Sequence, residues 1–188
     1  MTTTIGYIVG SISSTSINRS LANALVRQAP EGVEFVEIPI AGLPFYSPDA
    51  DADYPAVARE FKDAIAAVDG VVLVTPEYSR SIPGVLKNAL DWASRPYGQN
   101  SFTGKPTAVL GTSGGPIGAA VAQQHLKTIL THFASPQLGQ PEGFIQSKPG
   151  LFTPEGEVTD ASTAEFLRGY LAAFVRHIAR VKAADAAA

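Results

Sequence analysis

The run Gly70-Val71-Val72-Leu73-Val74-Thr75-Pro76-Glu77-Tyr78-Ser79-Arg80-Ser81-Ile82-Pro83-Gly84 decides the fold. Its apolar half is continuous rather than alternating, the pattern of a strand buried on both faces of a parallel sheet. A polar turn follows, and Pro76 and Pro83 fix the backbone at its two ends. Val85 to Ala93 then shows helical spacing. A buried strand therefore hands over to a helix through a stiff polar turn. In open α/β sheets, ligands bind at such carboxyl ends of strands.

The same rhythm runs outward in both directions. Ile5 to Val9 reads as a first strand, followed by a helix with Ile17, Leu21 and Leu25 on one face. Val33 to Ile38 reads as a second strand, and residues 39–54 as a long loop rich in Pro, Ala and Asp. Val57, Phe61, Ala64, Ile65 and Val68 mark the next helix. Beyond the opening run, Pro106 to Leu110 is a fourth strand. Ala122, Leu126, Ile129, Leu130 and Phe133 mark a fourth helix. Residues 134–160 read as irregular, with a short fifth strand inside them. Leu167, Leu171, Phe174, Val175 and Ile178 mark a C-terminal helix, and the alanine-rich tail from Ala183 is expected to fray. This alternation predicts a single α/β domain over residues 1–188, a three-layer sandwich around a five-stranded parallel sheet in the flavodoxin-like order 2-1-3-4-5.

Composition narrows the function. The chain has 188 residues, 45% of them hydrophobic, enough for one sizeable core. Net charge is -3 and no basic cluster occurs, which argues against nucleic acid as a partner. The absence of cysteine excludes disulfides, thiolate metal sites and thiol catalysis. Neither a secretory signal nor a membrane-length apolar stretch is visible, so a cytoplasmic location is expected. His125 and His132 lie seven apart on one helix and His177 on another, a spacing that fits surface histidines better than a metal site.

Two further turns sit where the opening one does. Gly10-Ser11-Ile12-Ser13-Ser14-Thr15-Ser16-Ile17-Asn18 joins the first strand to the first helix. An N-cap needs one hydroxyl; this turn crowds four serines, a threonine and an asparagine around a helix N-terminus, where free amides and the helix dipole favour a phosphate. No lysine completes a Walker loop, and the G-x-G-x-x-G fingerprint is absent from this turn. Gly111-Thr112-Ser113-Gly114-Gly115-Pro116-Ile117-Gly118 joins the fourth strand to the fourth helix, and its glycines allow close approach of backbone to a ligand. Taken alone, it reads equally as a flexible turn. The opening turn, taken alone, reads equally as a tight connection carrying a solvated Glu77–Arg80 pair. Together the three turns occupy the ends of strands one, three and four, neighbours in the expected sheet, and so suggest one pocket with a phosphate at the first turn and a planar ring across the others.

The stretch Thr75 to Trp92, with Gly10-Ser11, Ser16-x-Asn18, Gly42-Leu43-Pro44-Phe45-Tyr46 and more loosely Ser113-Gly114-Gly115, resembles the NADPH-dependent FMN reductase family of flavodoxin-like proteins, including its quinone and chromate reductase members. The resemblance implies bound FMN. Ser11, Ser16 and Asn18 would hold its phosphate with the backbone at Ile17, in a loop that also contains Ser13. Pro76, Glu77, Tyr78 and Ser79 would meet the isoalloxazine ring, and Ser113, Gly114 and Gly115 its far edge. Arg80 reads either as a contact for the nicotinamide nucleotide's phosphate or an acidic substrate, or as the partner of Glu77. Two positions depart from the family pattern: Ser13 stands where Arg is usual, and Ser79 where Asn is usual. Loss of that Arg removes a charge-assisted contact to phosphate, so FMN is expected as a held cofactor or as an exchanging substrate.

The implied chemistry belongs to the flavin. NADPH or NADH reduces it and leaves, and a quinone, FMN itself or a metal oxyanion then takes two electrons in a ping-pong cycle. No side-chain nucleophile is required. The competing readings are an electron carrier or a regulatory flavin-binding module. The family also implies a homodimer or homotetramer, for which Trp92-Ala93-Ser94-Arg95-Pro96-Tyr97 offers aromatic residues either to an interface or to internal packing.

Overall fold

The computed structural model describes residues 2–153 and 155–187. Five strands alternate with five α-helices: β1 (Thr3–Val9), α1 (Ile17–Arg27), β2 (Val33–Glu37), α2 (Ala56–Ala66), β3 (Gly70–Val74), α3 (Gly84–Ser94), β4 (Thr107–Ser113), α4 (Ala120–His132), β5 (Gly143–Gln146) and α5 (Ala161–Asp185). All strand pairs are parallel, in the order β2-β1-β3-β4-β5. The predicted fold class and strand order hold.

Every residue of β3 is buried, as its unbroken apolar run requires. Val71 and Leu73 point to one face and pack with Phe61 and Ile65 of α2, Leu86 and Leu90 of α3, and Leu126 and Leu130 of α4. Val72 and Val74 point to the other and pack with Leu21 and Leu25 of α1 and Leu171 and Phe174 of α5. Each central side chain of this kind contributes roughly 1.5–3 kcal/mol by leaving water, so β3 holds both helical layers to one sheet. Because the chain reverses its direction of travel across the sheet between β1 and β3, a crevice opens at the carboxyl end of these two strands. Their ends are in register: Val9 lies beside Val74, and the Gly10 amide donates to the Val74 carbonyl at 2.8 Å.

Some boundaries differ from expectation. β4 continues through Gly111, Thr112 and Ser113, because Thr112 and Ser113 still pair with Ile145 and Gln146 of β5. The third turn therefore begins at Gly114. The loop of residues 39–54 contains a 3₁₀ turn at Pro48–Asp51. α5 runs on through Ala183 and Ala184 to Asp185, past the expected point of fraying. Trp92 is fully buried, with Tyr46 and Tyr54 set edge-on to it at 5.1 and 5.0 Å. Its indole N–H donates to the Pro44 carbonyl at 2.7 Å, so it takes the internal-packing alternative of its two readings. Desolvation pushes the Tyr54 phenol up to about 12, and its hydroxyl donates to the Trp92 carbonyl.

Gly111 sets the spacing of β3 and β4 where the site begins. A Cβ there would lie 2.2 Å from the Thr75 carbonyl oxygen, a backbone atom that cannot move aside cheaply. Gly111→Ala should destabilise the fold by about 2 kcal/mol or more. Gly84→Ala, which opens α3 and meets nothing within 4 Å, should stabilise it by about 0.5 kcal/mol. Urea midpoints of the two variants test this; equal effects of the two would contradict the packing argument.

Candidate functional site

The three turns meet. A cavity of about 300 Å³ is lined by Ser11, Ser13, Ser16, Ile17 and Asn18 from the first, by Pro76, Glu77 and Tyr78 from the second, and by Ser113 and Gly114 from the third. Ser79, Arg80 and Gly115 lie outside its wall. Thr15 and Thr112, members of the first and third turns not singled out as ligand contacts, line it too. A roomier cavity, about 540 Å³, lies between β5, Lys148–Leu151 and the start of α5. We place the site in the smaller cavity, because only there do three strand-to-helix turns converge at the switch point.

In the first turn, the Ser16 hydroxyl caps α1 by accepting from the Arg19 amide at 3.2 Å. That leaves the first-turn amides of Ile17 and Asn18 for another acceptor. The Asn18 side chain is spoken for: its Nδ2 donates to the Thr112 carbonyl at 2.9 Å and its Oδ1 accepts from the Thr112 amide at 3.0 Å. Only 1% of Asn18 is exposed. It clips the first turn to the end of β4, across the intervening end of β3.

The second turn is a tight hairpin. Tyr78 and Ser81 exchange both backbone hydrogen bonds, at 2.9 and 3.0 Å. Ser79 and Arg80, its central residues, have φ of 51° and 64°. Two positive φ values mark a type I′ turn, which prefers Asn-Gly; Ser-Arg holds it under strain. Tyr78 stands half-exposed over the cavity. Glu77 lines the cavity, and its side chain reaches across to α4. Its Oε2 accepts from the Val121 and Ala122 amides at 3.0 and 3.2 Å, and its Oε1 from Arg80 at 3.1 Å. Ala119, at the N-cap position before α4, adopts φ 60° and supplies no capping side chain. Glu77 is therefore the cap of α4, supplied from the neighbouring turn, and Arg80 takes the ion-pair alternative of its two readings. The Ser81 hydroxyl lies 3.0 Å from His125 Nδ1, one helical turn further along α4. His177 instead meets the Pro136 carbonyl, and among the described residues no three His, Asp or Glu side chains cluster as metal ligands.

The cavity wall is thus rich in amides and hydroxyls, with Ile17, Pro76 and Tyr78 as its apolar part, and its one carboxylate is engaged with α4 and Arg80. Thr112 supplies a direct mark of a missing partner: it is fully buried in this wall, and its hydroxyl oxygen has no hydrogen-bond partner. Free first-turn amides, a dipole end and an orphaned hydroxyl fit a phosphorylated ligand. A family model described as NADPH-dependent FMN reductase matches residues 3–149. The chain belongs to the NADPH-dependent FMN reductase family. Among its relatives, a 2-hydroxy-1,4-benzoquinone reductase of Burkholderia sp is 46% identical over 175 residues, covering 92% of this chain and 96% of the relative. A quinone reductase of Pseudomonas putida is 39% identical over 171 residues, covering 90% and 91%. A solved structure of FerB, a flavoenzyme NAD(P)H:(acceptor) oxidoreductase from Paracoccus denitrificans, superposes with a TM-score of 0.90 at 46% identity, covering 95% of this chain and 98% of that one. The matched segment contains all three turns.

Removing the carboxylate should loosen two walls of the cavity together. Glu77→Ala is expected to lower stability by about 1–2 kcal/mol, the usual cost of a lost N-cap, while Glu77→Gln keeps an acceptor for the α4 amides and loses less. Chemical denaturation separates the two. Equal losses in both variants would show that the cap hydrogen bonds are not what the side chain contributes.

Proposed function

We propose that this protein is an FMN-dependent NAD(P)H:quinone oxidoreductase, with one FMN-binding domain spanning residues 1–188. The observation that carries the reading is the convergence of three turns on a cavity with free α1 amides and an unpartnered Thr112 hydroxyl, in a chain whose relatives over nine-tenths of its length are named quinone reductases.

Ser11, Ser16 and the amides of Ile17 and Asn18 hold the phosphate, with the positive end of the α1 dipole behind them. Ser13 lines the same loop as a hydroxyl donor. The backbone of Pro76, Glu77, Tyr78 and Ser79 borders one edge of the isoalloxazine ring, and Ser113, Gly114 and Gly115 the other. Tyr78 covers the ring and excludes water from one side. Arg80, 72% exposed on the hairpin tip, stabilises the turn through Glu77 and leaves its remaining donors to the outer rim. Bound FMN supplies two-electron chemistry between NADPH or NADH and a small acceptor such as a quinone. The side chains need only bind, orient and exclude water.

The family reading carries a homodimer or homotetramer and a cytoplasmic setting. In support of assembly, Phe45 and Tyr97 are 91% and 89% exposed, in loops on the α3 side of the molecule. Light scattering should return two or four chain masses; a monomer at micromolar concentration would remove this part of the proposal.

The purified protein mixed anaerobically with FMN should show oxidised-flavin bands that bleach with NADPH or NADH and return with benzoquinone. Double-reciprocal plots at several quinone concentrations should be parallel, as a ping-pong cycle requires. Bands that bleach but are not restored by quinone would favour a different acceptor. No FMN binding at large excess would overturn the assignment.

A further inference from the structure

A second cavity, about 360 Å³, adjoins the first and shares Ile17 and Gly114 with it. Its remaining wall includes Ser147, Lys148, Gly150 and Phe152. The backbone here is well fixed. The Ser147 amide donates to the Ser113 carbonyl at 2.8 Å, which carries the β4–β5 ladder one residue past β5 and ties this wall to a residue of the first cavity. Lys148 follows at once. Its carbonyl accepts from the Leu151 amide at 3.0 Å, with Pro149 and Gly150 (φ 77°) between them, the residues a type II turn demands. The Thr159 hydroxyl pins that turn through the Gly150 carbonyl at 2.8 Å.

The charges around the cavities are unequal in one respect. Arg19 is committed to Glu37 at 2.7 Å and Arg80 to Glu77 at 3.1 Å. Lys148 forms no ion pair among the described residues. Asp160, an acid that feels its field, already accepts from the Ser162 hydroxyl and from the amide and hydroxyl of Thr163, each at 2.7 Å. Lys148, which lines both this cavity and the one between β5 and α5, therefore brings a cation with no salt bridge among the described residues to a fixed turn, in a cavity adjoining a loop that offers only hydroxyls, amides and a partial dipole charge. A phosphate monoester carries close to two negative charges at neutral pH and gains most from a cation.

We infer that Lys148 is the cation of this site, and that the cavity it borders receives a phosphate monoester: the 5′-phosphate of FMN or the 2′-phosphate of NADPH. The inference rests on the proposed flavin site. Lys148 takes the part that the first turn gives up by having Ser13, and it does so from the opposite wall. NADH has no phosphate monoester, so the second source makes Lys148 a determinant of donor choice.

The test uses the full chain and the variants Lys148→Ala and Lys148→Arg. Dissociation constants for FMN and for riboflavin are measured by fluorescence, and KM for NADPH and NADH by steady-state turnover. If the flavin phosphate is the ligand, Lys148→Ala weakens FMN at least tenfold, the scale of one charge-assisted hydrogen bond. Riboflavin then binds as before, and Arg restores FMN. If the donor phosphate is the ligand, KM for NADPH rises by a similar factor while FMN binding and KM for NADH hold. Unchanged values throughout, or equal weakening of FMN and riboflavin, overturn the inference and leave the flavin site standing. Failure of the wild type to bind FMN overturns the flavin site and the inference with it.

Discussion

The site depends first on one buried side-chain amide. Asn18 bonds both ways with the backbone of Thr112, 94 residues away, and so joins the start of α1 to the end of β4 over the top of β3. The sheet alone leaves these ends adjacent but free to splay. Two hydrogen bonds out of contact with water are worth about 0.5–1.5 kcal/mol each, and either partner left unpaired costs more. The clip fixes the width of the crevice. It also holds Thr112, a residue of the cavity wall whose buried hydroxyl has no hydrogen-bond partner.

Glu77 makes a second clip of the same kind between the other two turns. A strained hairpin and an uncapped helix meet there, and one carboxylate serves both. It satisfies two amides of α4 and holds Arg80, whose left-handed backbone would otherwise have little to retain it. The strain at Ser79 and Arg80 is local, and the rigid layers on both faces of β3 bear it. The first turn is a different case. It has many donors and no cation, and its nearest arginine is engaged with Glu37. What it offers an anion is therefore the dipole of α1, free amides and hydroxyls.

The fold was legible because its signals are local. The unbroken run of β3, the spacing of Leu21 and Leu25 and the turns between them each report on their own neighbourhood, and they agree with one another. The three turns were legible as a set because the strand order brings them together. What escaped was non-local. Gly111-Thr112-Ser113 has the composition of a turn yet pairs as strand, since β5 lies alongside to receive it. The start of α4 carries no capping residue of its own, because the cap comes from 44 residues earlier. Asn18 and Glu77 both line the cavity, as their motifs suggest, but no local signal shows that their side chains also bond the backbone of Thr112 and of α4. Trp92 gave no local sign of its burial, which depends on Pro44 and Tyr54 folding over it. Lys148 sits in a stretch with no periodicity to announce it.

A crystal structure of the protein with FMN tests the central claim, that three turns clipped by Asn18 and Glu77 form one flavin cradle. The account predicts the phosphate within hydrogen-bonding distance of the Ile17 and Asn18 amides, and the ring between Pro76–Ser79 and Ser113–Gly115. The Asn18–Thr112 and Glu77–α4 bonds should be unchanged. Flavin bound instead in the cavity between β5 and α5, or a cradle that forms only after those bonds break, would contradict it.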